Sequence, residues 1–110
     1  MQANCLERLR ALNDELRQRG HGGEVYVTAG LDSYGPETVF SVLRAVAAFD
    51  AFTEDNDPYG EHDFGAIEIV GLRVLFKIDY YDLQGRYHSL DPSDPRVTRR
   101  IMTVMLAHEY

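Results

Sequence analysis

Residues 65–78 read GAIEIVGLRVLFKI, and apolar and polar side chains alternate on both sides of the central glycine. Alternation with a period of two is typical of a strand that buries one face, and a glycine that opens a two-residue turn is typical of a hairpin. We therefore predict a β-hairpin over residues 65–81 with its turn at Gly71-Leu72. A slip of one residue would turn the apolar side chains outward, so the pattern favours this register. The predicted pairs are Val70 with Arg73, Ile69 with Val74, and Ile67 with Phe76.

The flanking segments predict three helices and one or two further short strands. Apolar side chains recur at steps of three and four over residues 4–19, 36–49 and 95–108, as is typical of amphipathic helices. Short strands are predicted at residues 24–28 and at residues 86–89. This order predicts a single α+β domain over the whole chain of 110 residues, in which a small antiparallel sheet packs with three helices.

The net charge of the chain is concentrated in one part of the sequence. The chain holds 18 Asp and Glu against 11 Lys and Arg, which gives a formal charge of −7. Between Arg44 and Arg73 there is no Lys or Arg, and all seven acidic residues of this stretch lie at residues 50–68, called the acidic segment below. Because nucleic-acid binding needs clustered basic residues, we expect no direct contact with DNA or RNA.

The sequence carries no mark of export or of membrane insertion. It has no basic start followed by an apolar run, and no apolar stretch approaches the ~18 residues of a membrane-spanning helix. Its single cysteine, Cys5, can form no internal disulfide and fits a reducing compartment. We therefore expect a cytoplasmic protein that does not act at a membrane.

Within the acidic segment, residues 55–65 read DNDPYGEHDFG. Three interpretations of this run compete. The first is a metal site, because the run partly matches a calcium loop. Ala66 replaces the bidentate Glu of such a loop, so we do not expect an EF-hand. We predict no cofactor, but a divalent cation remains an alternative. Its candidate ligands are Asp57, Glu61, His62 and Asp63, with Asp79 or Asp82 across the hairpin.

The second interpretation is catalysis. If the hairpin register continues outward, His62 faces Tyr81 and Phe64 faces Asp79. A histidine beside a carboxylate and a phenol can serve as a general acid or base. No nucleophile elbow and no phosphate-binding glycine loop accompanies it in the sequence.

The third interpretation is structural, because Asp, Asn, Pro and Gly form turns, and this run can simply lead into the sheet. A turn needs only one or two such residues, however. Six carboxylates over residues 50–63, with no cation nearby in sequence, repel one another. This surplus of charge favours a role in binding.

Residues 56–65, NDPYGEHDFG, resemble a small bacterial family known only as domain of unknown function family 3768. The resemblance covers most of the chain from about Leu12 onward and implies a setting on plasmids and other mobile elements. It implies no activity, cofactor or catalytic residue. It extends through Phe49-Asp50, Phe52-Thr53, residues 77–82, Asp91-Pro92, residues 105–107 and Glu109-Tyr110.

We favour a binding protein over an enzyme. The acidic segment would contact a basic protein, in the manner of a nucleic-acid mimic, or a second copy of the chain. The divalent-metal site, hydrolytic or not, and a purely structural motif are the alternatives. The candidate binding residues are Asp55, Asp57, Tyr59, Glu61, His62, Asp63, Asp79 and Asp82.

Overall fold

In the computed structural model, which describes residues 4–110, three helices and four strands are joined in one chain order. The elements are α1 (Cys5–Arg19), β1 (Glu24–Val27), α2 (Ala29–Asp32), α3 (Pro36–Ala48), β2 (Phe64–Ile69), β3 (Leu72–Tyr81), β4 (Arg99–Leu106) and a final 3₁₀ turn (Ala107–Glu109).

The two long helices confirm their sequence predictions, and local chemistry explains their ends. The Asn4 side chain accepts a hydrogen bond of 2.8 Å from the Glu7 N–H at the start of α1. Gly20 ends the same helix with φ 71°, a conformation that glycine adopts without strain. Helix α3 begins at Pro36, whose fixed φ suits a first helical position.

The sheet is mixed, with strand order β1-β4-β3-β2. Strands β2 and β3 are antiparallel, as predicted. Strand β3 also pairs antiparallel with β4, which was not predicted, and β1 pairs with β4 in parallel. The prediction of a wholly antiparallel sheet is therefore corrected at this edge. Parallel strands are joined by long connections. Strands β1 and β4 are far apart in the sequence, so no turn motif between them could predict their pairing.

The β2–β3 hairpin exists, but its predicted register is wrong by two residues. The turn lies at Val70-Gly71, and both residues have positive φ, 49° and 77°, as a type I′ turn requires. Ile67 consequently pairs with Val74 rather than with Phe76. Because a shift of two residues keeps each side chain on its face, the predicted apolar face is still the buried one.

The predicted helix over residues 95–108 is wrong, because this segment contains strand β4. Its buried side chains alternate at Arg100, Met102, Val104 and Leu106, which is the period of a strand. Arg100 is only 1% exposed. Because Arg100 is charged, the alternation of buried and exposed positions is not visible in the sequence as an alternation of apolar and polar residues. The remaining apolar residues recur at steps of three and four, which is the period of a helix.

The helices cover one face of the sheet, where the core lies. Residues 86–89 form no strand and contribute a single bridge, from His88 to Tyr81. Over residues 4–110, no helix is both long and apolar enough to cross a membrane. The buried core consists of Leu16, Leu31, Val42, Val46, Val74, Phe76, Ile78, Tyr80, Met102, Val104 and Leu106.

Candidate functional site

The loop that connects α3 to β2 carries most of the predicted site, and Asp57 holds this loop in shape. Its carboxylate accepts hydrogen bonds from the main-chain N–H groups of Glu61, at 3.0 Å, and His62, at 3.1 Å. Asp57 is only 8% exposed. A carboxylate that caps two amides is well stabilised. Asp57 therefore has a structural role within the loop.

Two side chains of α1 donate hydrogen bonds to main-chain carbonyl groups of the same loop. Arg10 Nε donates to the Gly60 carbonyl oxygen at 2.6 Å, and Asn13 Nδ2 donates to the Glu61 carbonyl oxygen at 3.0 Å. One turn of α1 thus fixes the position of consecutive loop residues by long-range contacts.

His62 is enclosed on several sides. Its ring stacks on Phe52 with a centroid distance of 3.9 Å and an interplanar angle of 6°. Its Nδ1 lies 2.8 Å from Asp14 Oδ1, and its Nε2 lies 3.8 Å from Asp57 Oδ2. Both ring nitrogens therefore face carboxylates of the chain itself. The predicted position opposite Tyr81 is wrong, because the register differs and the backbone at His62 turns to φ 58°.

Arg17 completes this cluster. Its Nη1 lies 2.8 Å from Asp14 Oδ1, and its guanidinium carbon lies 5.1 Å from the centre of the Phe52 ring. Its Nε is buried and has no hydrogen-bond partner within residues 4–110. Phe52 is therefore contacted by both His62 and Arg17, and Asp14 bridges the two.

A buried polar chain joins β4 to the acidic segment. Arg100 Nε donates to Asn13 Oδ1 at 2.8 Å, and Asn13 Nδ2 donates to the Tyr80 hydroxyl at 2.7 Å. The Tyr80 hydroxyl donates in turn to Glu61 Oε1 at 2.8 Å. Every donor in the chain points away from the guanidinium and toward the carboxylate. Arg100 also donates to the Pro92 carbonyl oxygen.

Burial shifts the pKa of two groups in this hydrogen-bonded chain, Tyr80 and Arg100. Desolvation raises the pKa of Tyr80, and the hydrogen bond to Glu61 raises it further, so the hydroxyl remains a donor. Burial lowers the pKa of Arg100 from its high ordinary value. The hydrogen bonds connect the Arg100 guanidinium, the Tyr80 hydroxyl and the Glu61 carboxylate into one group.

The sequence predictions named neither Asn13 nor Arg100 as a site residue, although each had a signal. Asn13 lies between Leu9 and Leu16 on the apolar face of α1, where a polar residue needs a partner. Arg100 lies in the alternating run of β4, which was interpreted as a helix.

Asp63 takes no part in this hydrogen-bonded chain and lies at the wall of a surface cavity. Asp63 and Asp79 line two adjoining cavities of about 550 and 530 Å³, and Tyr59, 76% exposed, borders both. Burial raises the pKa of Asp63, and the negative charges of Glu61, Asp57 and Asp79 add to this effect.

The remaining candidates do not join these groups. Asp55 is exposed, and Asp82 Oδ1 accepts a hydrogen bond of 2.9 Å from the Arg86 N–H in the next turn. Among residues 4–110, no three His, Cys, Asp or Glu side chains are arranged to hold a metal ion. The divalent-cation alternative thus stays a prediction, with no ligand set assembled in the described part of the chain.

Four carboxylates of the acidic segment, including that of Asp55, are exposed to solvent. In the part of the chain that the structure describes, none of them forms an ion pair or a side-chain hydrogen bond. They are Asp50, Glu54, Asp55 and Glu68.

The fold and site together define a small α+β domain in which an acidic loop is fastened to a mixed sheet. A family model described as Protein of unknown function (DUF3768) matches residues 27–109, so the chain belongs to this family and the resemblance stated from the sequence is confirmed. No curated protein and no solved structure matches the chain.

Proposed function

We propose that this chain is a binding protein whose acidic segment contacts a basic partner protein. The observation that carries the proposal is the exposure of four carboxylates of this segment without a paired cation in residues 4–110. Like charges held close together repel each other, and a basic partner would relieve that repulsion.

The loop does not need these exposed acids for its shape. Asn56 Oδ1 accepts from the Thr53 N–H at 2.8 Å, and Asn56 Nδ2 donates to the Ala51 carbonyl oxygen at 2.9 Å. Asp57 caps the following amides. Asn56 and Asp57 thus supply the turn chemistry, and the surplus of carboxylates supports a role outside the fold.

The surroundings of His62 argue against acid–base catalysis by this residue. A general base needs a ring nitrogen within reach of the substrate. Here Nδ1 lies against Asp14 and Nε2 faces Asp57, while the ring stacks on Phe52. These contacts favour a structural role for His62 within the binding loop.

The test compares two triple variants of equal charge. One variant neutralises the exposed acids of the loop, Asp50→Asn, Glu54→Gln and Asp55→Asn. The control variant neutralises three exposed acids outside the acidic segment: Glu7→Gln, Asp32→Asn and Glu37→Gln. The probe is a fluorescein-labelled oligolysine peptide, and its anisotropy is measured at low salt and at ~150 mM salt, where the Debye length is about 8 Å.

We expect the loop variant to weaken oligolysine binding about tenfold and the control variant to weaken it much less, with the difference shrinking as salt is added. Equal losses in both variants would show an effect of net charge alone and would overturn the proposal. Nucleic-acid mimicry is the narrower form of the same function. It requires, in addition, that the chain and a DNA duplex compete for a DNA-binding partner.

A further inference from the structure

We infer that the cavity of about 550 Å³ beside Asp63 receives the ammonium or guanidinium group of one basic side chain of the partner protein. The inference rests on the proposed function, since it takes the partner to be basic. It places one specific contact at the cavity that Asp63 lines, and none of the exposed acids at residues 50–55 is part of the cavity lining. The residues that matter here are Tyr59, Asp63, Phe64, Asp79 and Tyr110.

Aromatic rings form part of the cavity wall. The rings of Phe64 and Tyr110 meet edge to face with a centroid distance of 6.0 Å. Tyr59 lines the same cavity and is largely exposed, so its ring is available to a ligand. The faces of aromatic rings attract cations, and Tyr and Phe are both suited to this contact.

Asp63 supplies the negative charge. It is half-buried at the cavity wall, and among residues 4–110 its carboxylate forms no ion pair. Glu61, Asp57 and Asp79 all raise its pKa by their negative charge, in addition to the effect of burial. A cation in the cavity would relieve the repulsion that this group experiences.

Lys77 also lines the cavity and must be considered, because its charge would repel a cationic ligand. Its Nζ lies 2.6 Å from Asp79 Oδ2, and this hydrogen bond raises the pKa of Lys77. The charge of Lys77 is therefore matched by Asp79, and among residues 4–110 the carboxylates of Asp63 and Glu109 at this cavity form no ion pair. An anionic ligand would instead meet Asp63 and Glu109 at the same cavity.

The experiment titrates the full chain, labelled with ¹⁵N, with N-acetyl-lysine methylamide and follows the amide signals. We expect signals near residues 59, 63–64, 77–79 and 110 to shift. N-acetyl-norleucine methylamide, which has a neutral side chain, should leave them unchanged at the same concentration. Asp63→Asn should weaken binding about tenfold and Tyr59→Ala about threefold. Asp55→Asn is the matched control, with the same change of charge in the same loop, and should leave the affinity within about twofold.

Several outcomes would overturn the subsite. Equal shifts with the norleucine compound would make the cavity an apolar site. Shifts with spermidine but not with the lysine compound would assign it to a free polyamine. Loss of affinity in Asp55→Asn equal to that in Asp63→Asn would show a general charge effect. A thermal unfolding curve of Asp63→Asn matching or exceeding that of the wild type shows that lost binding is not lost folding.

The two proposals can fail separately. If oligolysine binding depends on Asp50, Glu54 and Asp55 but the lysine compound does not bind, the acidic-surface function stands and the subsite is wrong. If the lysine compound binds through Asp63 while the loop triple variant binds oligolysine normally, the subsite stands and the acidic-surface function is wrong.

Discussion

The hydroxyl of Tyr80 donates a hydrogen bond of 2.8 Å to Oε1 of Glu61, and this contact joins the core of the sheet to the acidic segment. Arg100, buried on the neighbouring strand, forms no direct ion pair among residues 4–110. It reaches the Glu61 carboxylate through Asn13 and Tyr80. A buried charge needs hydrogen bonds or a counter-charge, and this chain of donors supplies both.

Replacing Tyr80 with Phe should lower the free energy of unfolding by about 1 to 3 kcal/mol, because the buried Asn13 amide and the Glu61 carboxylate each lose a partner. Urea denaturation measures the change. A double-mutant cycle with Glu61→Gln should give a coupling energy above about 0.5 kcal/mol. Tyr87→Phe, at an exposed tyrosine, is the control and should stay within about 0.5 kcal/mol of the wild type. A Tyr80→Phe variant as stable as this control would show that the chain of donors does not stabilise the fold.

Asp57→Ala should destabilise the chain by about 1 to 3 kcal/mol, because the N–H groups of Glu61 and His62 lose their acceptor. Asp57→Asn keeps one oxygen and should cost less. Hydrogen exchange at the two amides measures the local effect, and urea denaturation measures the global one. Asp55→Ala removes an exposed carboxylate and should leave exchange at these amides unchanged. Unchanged protection in Asp57→Ala would rule out the capping role.

The periodicity of apolar residues predicted the two long helices and the buried face of the hairpin correctly. The apolar face of the hairpin was correct although its turn was misplaced, because side-chain alternation survives a shift of two residues. The turn was misplaced because Val70 adopts a positive φ that β-branched residues rarely take. Strand β4 was misassigned because Arg100 occupies a core position, and only its long-range partners make that position tolerable.

The site was predicted in composition but not in arrangement. The sequence singled out residues 55–65 as a candidate site, and the structure shows that the neighbours of this run come from α1 and β3. Contacts such as that of His62 with Asp14 join residues far apart along the chain, so spacing alone could not reveal them. The sequence likewise could not separate Asp57, turned inward, from Asp55, turned outward, because both are turn-forming acids.

The raised pKa of Asp63 predicts a stability that falls as pH rises. The folded state holds this proton more tightly than the unfolded state, whose pKa is near the ordinary value of 3.8. Below that value, Asp63 contributes no difference. As pH rises from 3.8 through the higher pKa of the folded state, Asp63 ionises at a cost that lowers the stability of the fold. The cost comes from burial and from the negative charges of Glu61, Asp57 and Asp79. Lys77 does not offset it, because Lys77 is paired with Asp79.

Asp63→Asn should therefore gain stability relative to the wild type between about pH 4 and pH 7 and show no gain at about pH 3. Urea denaturation across this range measures the difference. Asp55→Asn, at an exposed carboxylate, should show a much smaller trend. A gain of the Asp63→Asn variant that is independent of pH would contradict the assignment of the effect to ionisation.

Val70→Asn should stabilise the chain by about 1 kcal/mol, because the hairpin turn holds a β-branched residue at φ 49°. Asn tolerates this conformation and, followed by Gly71, forms the pair that type I′ turns prefer. The Val70 side chain is 61% exposed, so little packing is lost. Thermal and urea denaturation measure the gain. Val70→Thr retains the branched β-carbon and should remain near the wild type. If Val70→Asn and Val70→Thr were equally stable, backbone strain at this turn would not be the cause, and the register of the β2–β3 hairpin should then be measured directly from cross-strand NMR contacts between Ile67 and Val74.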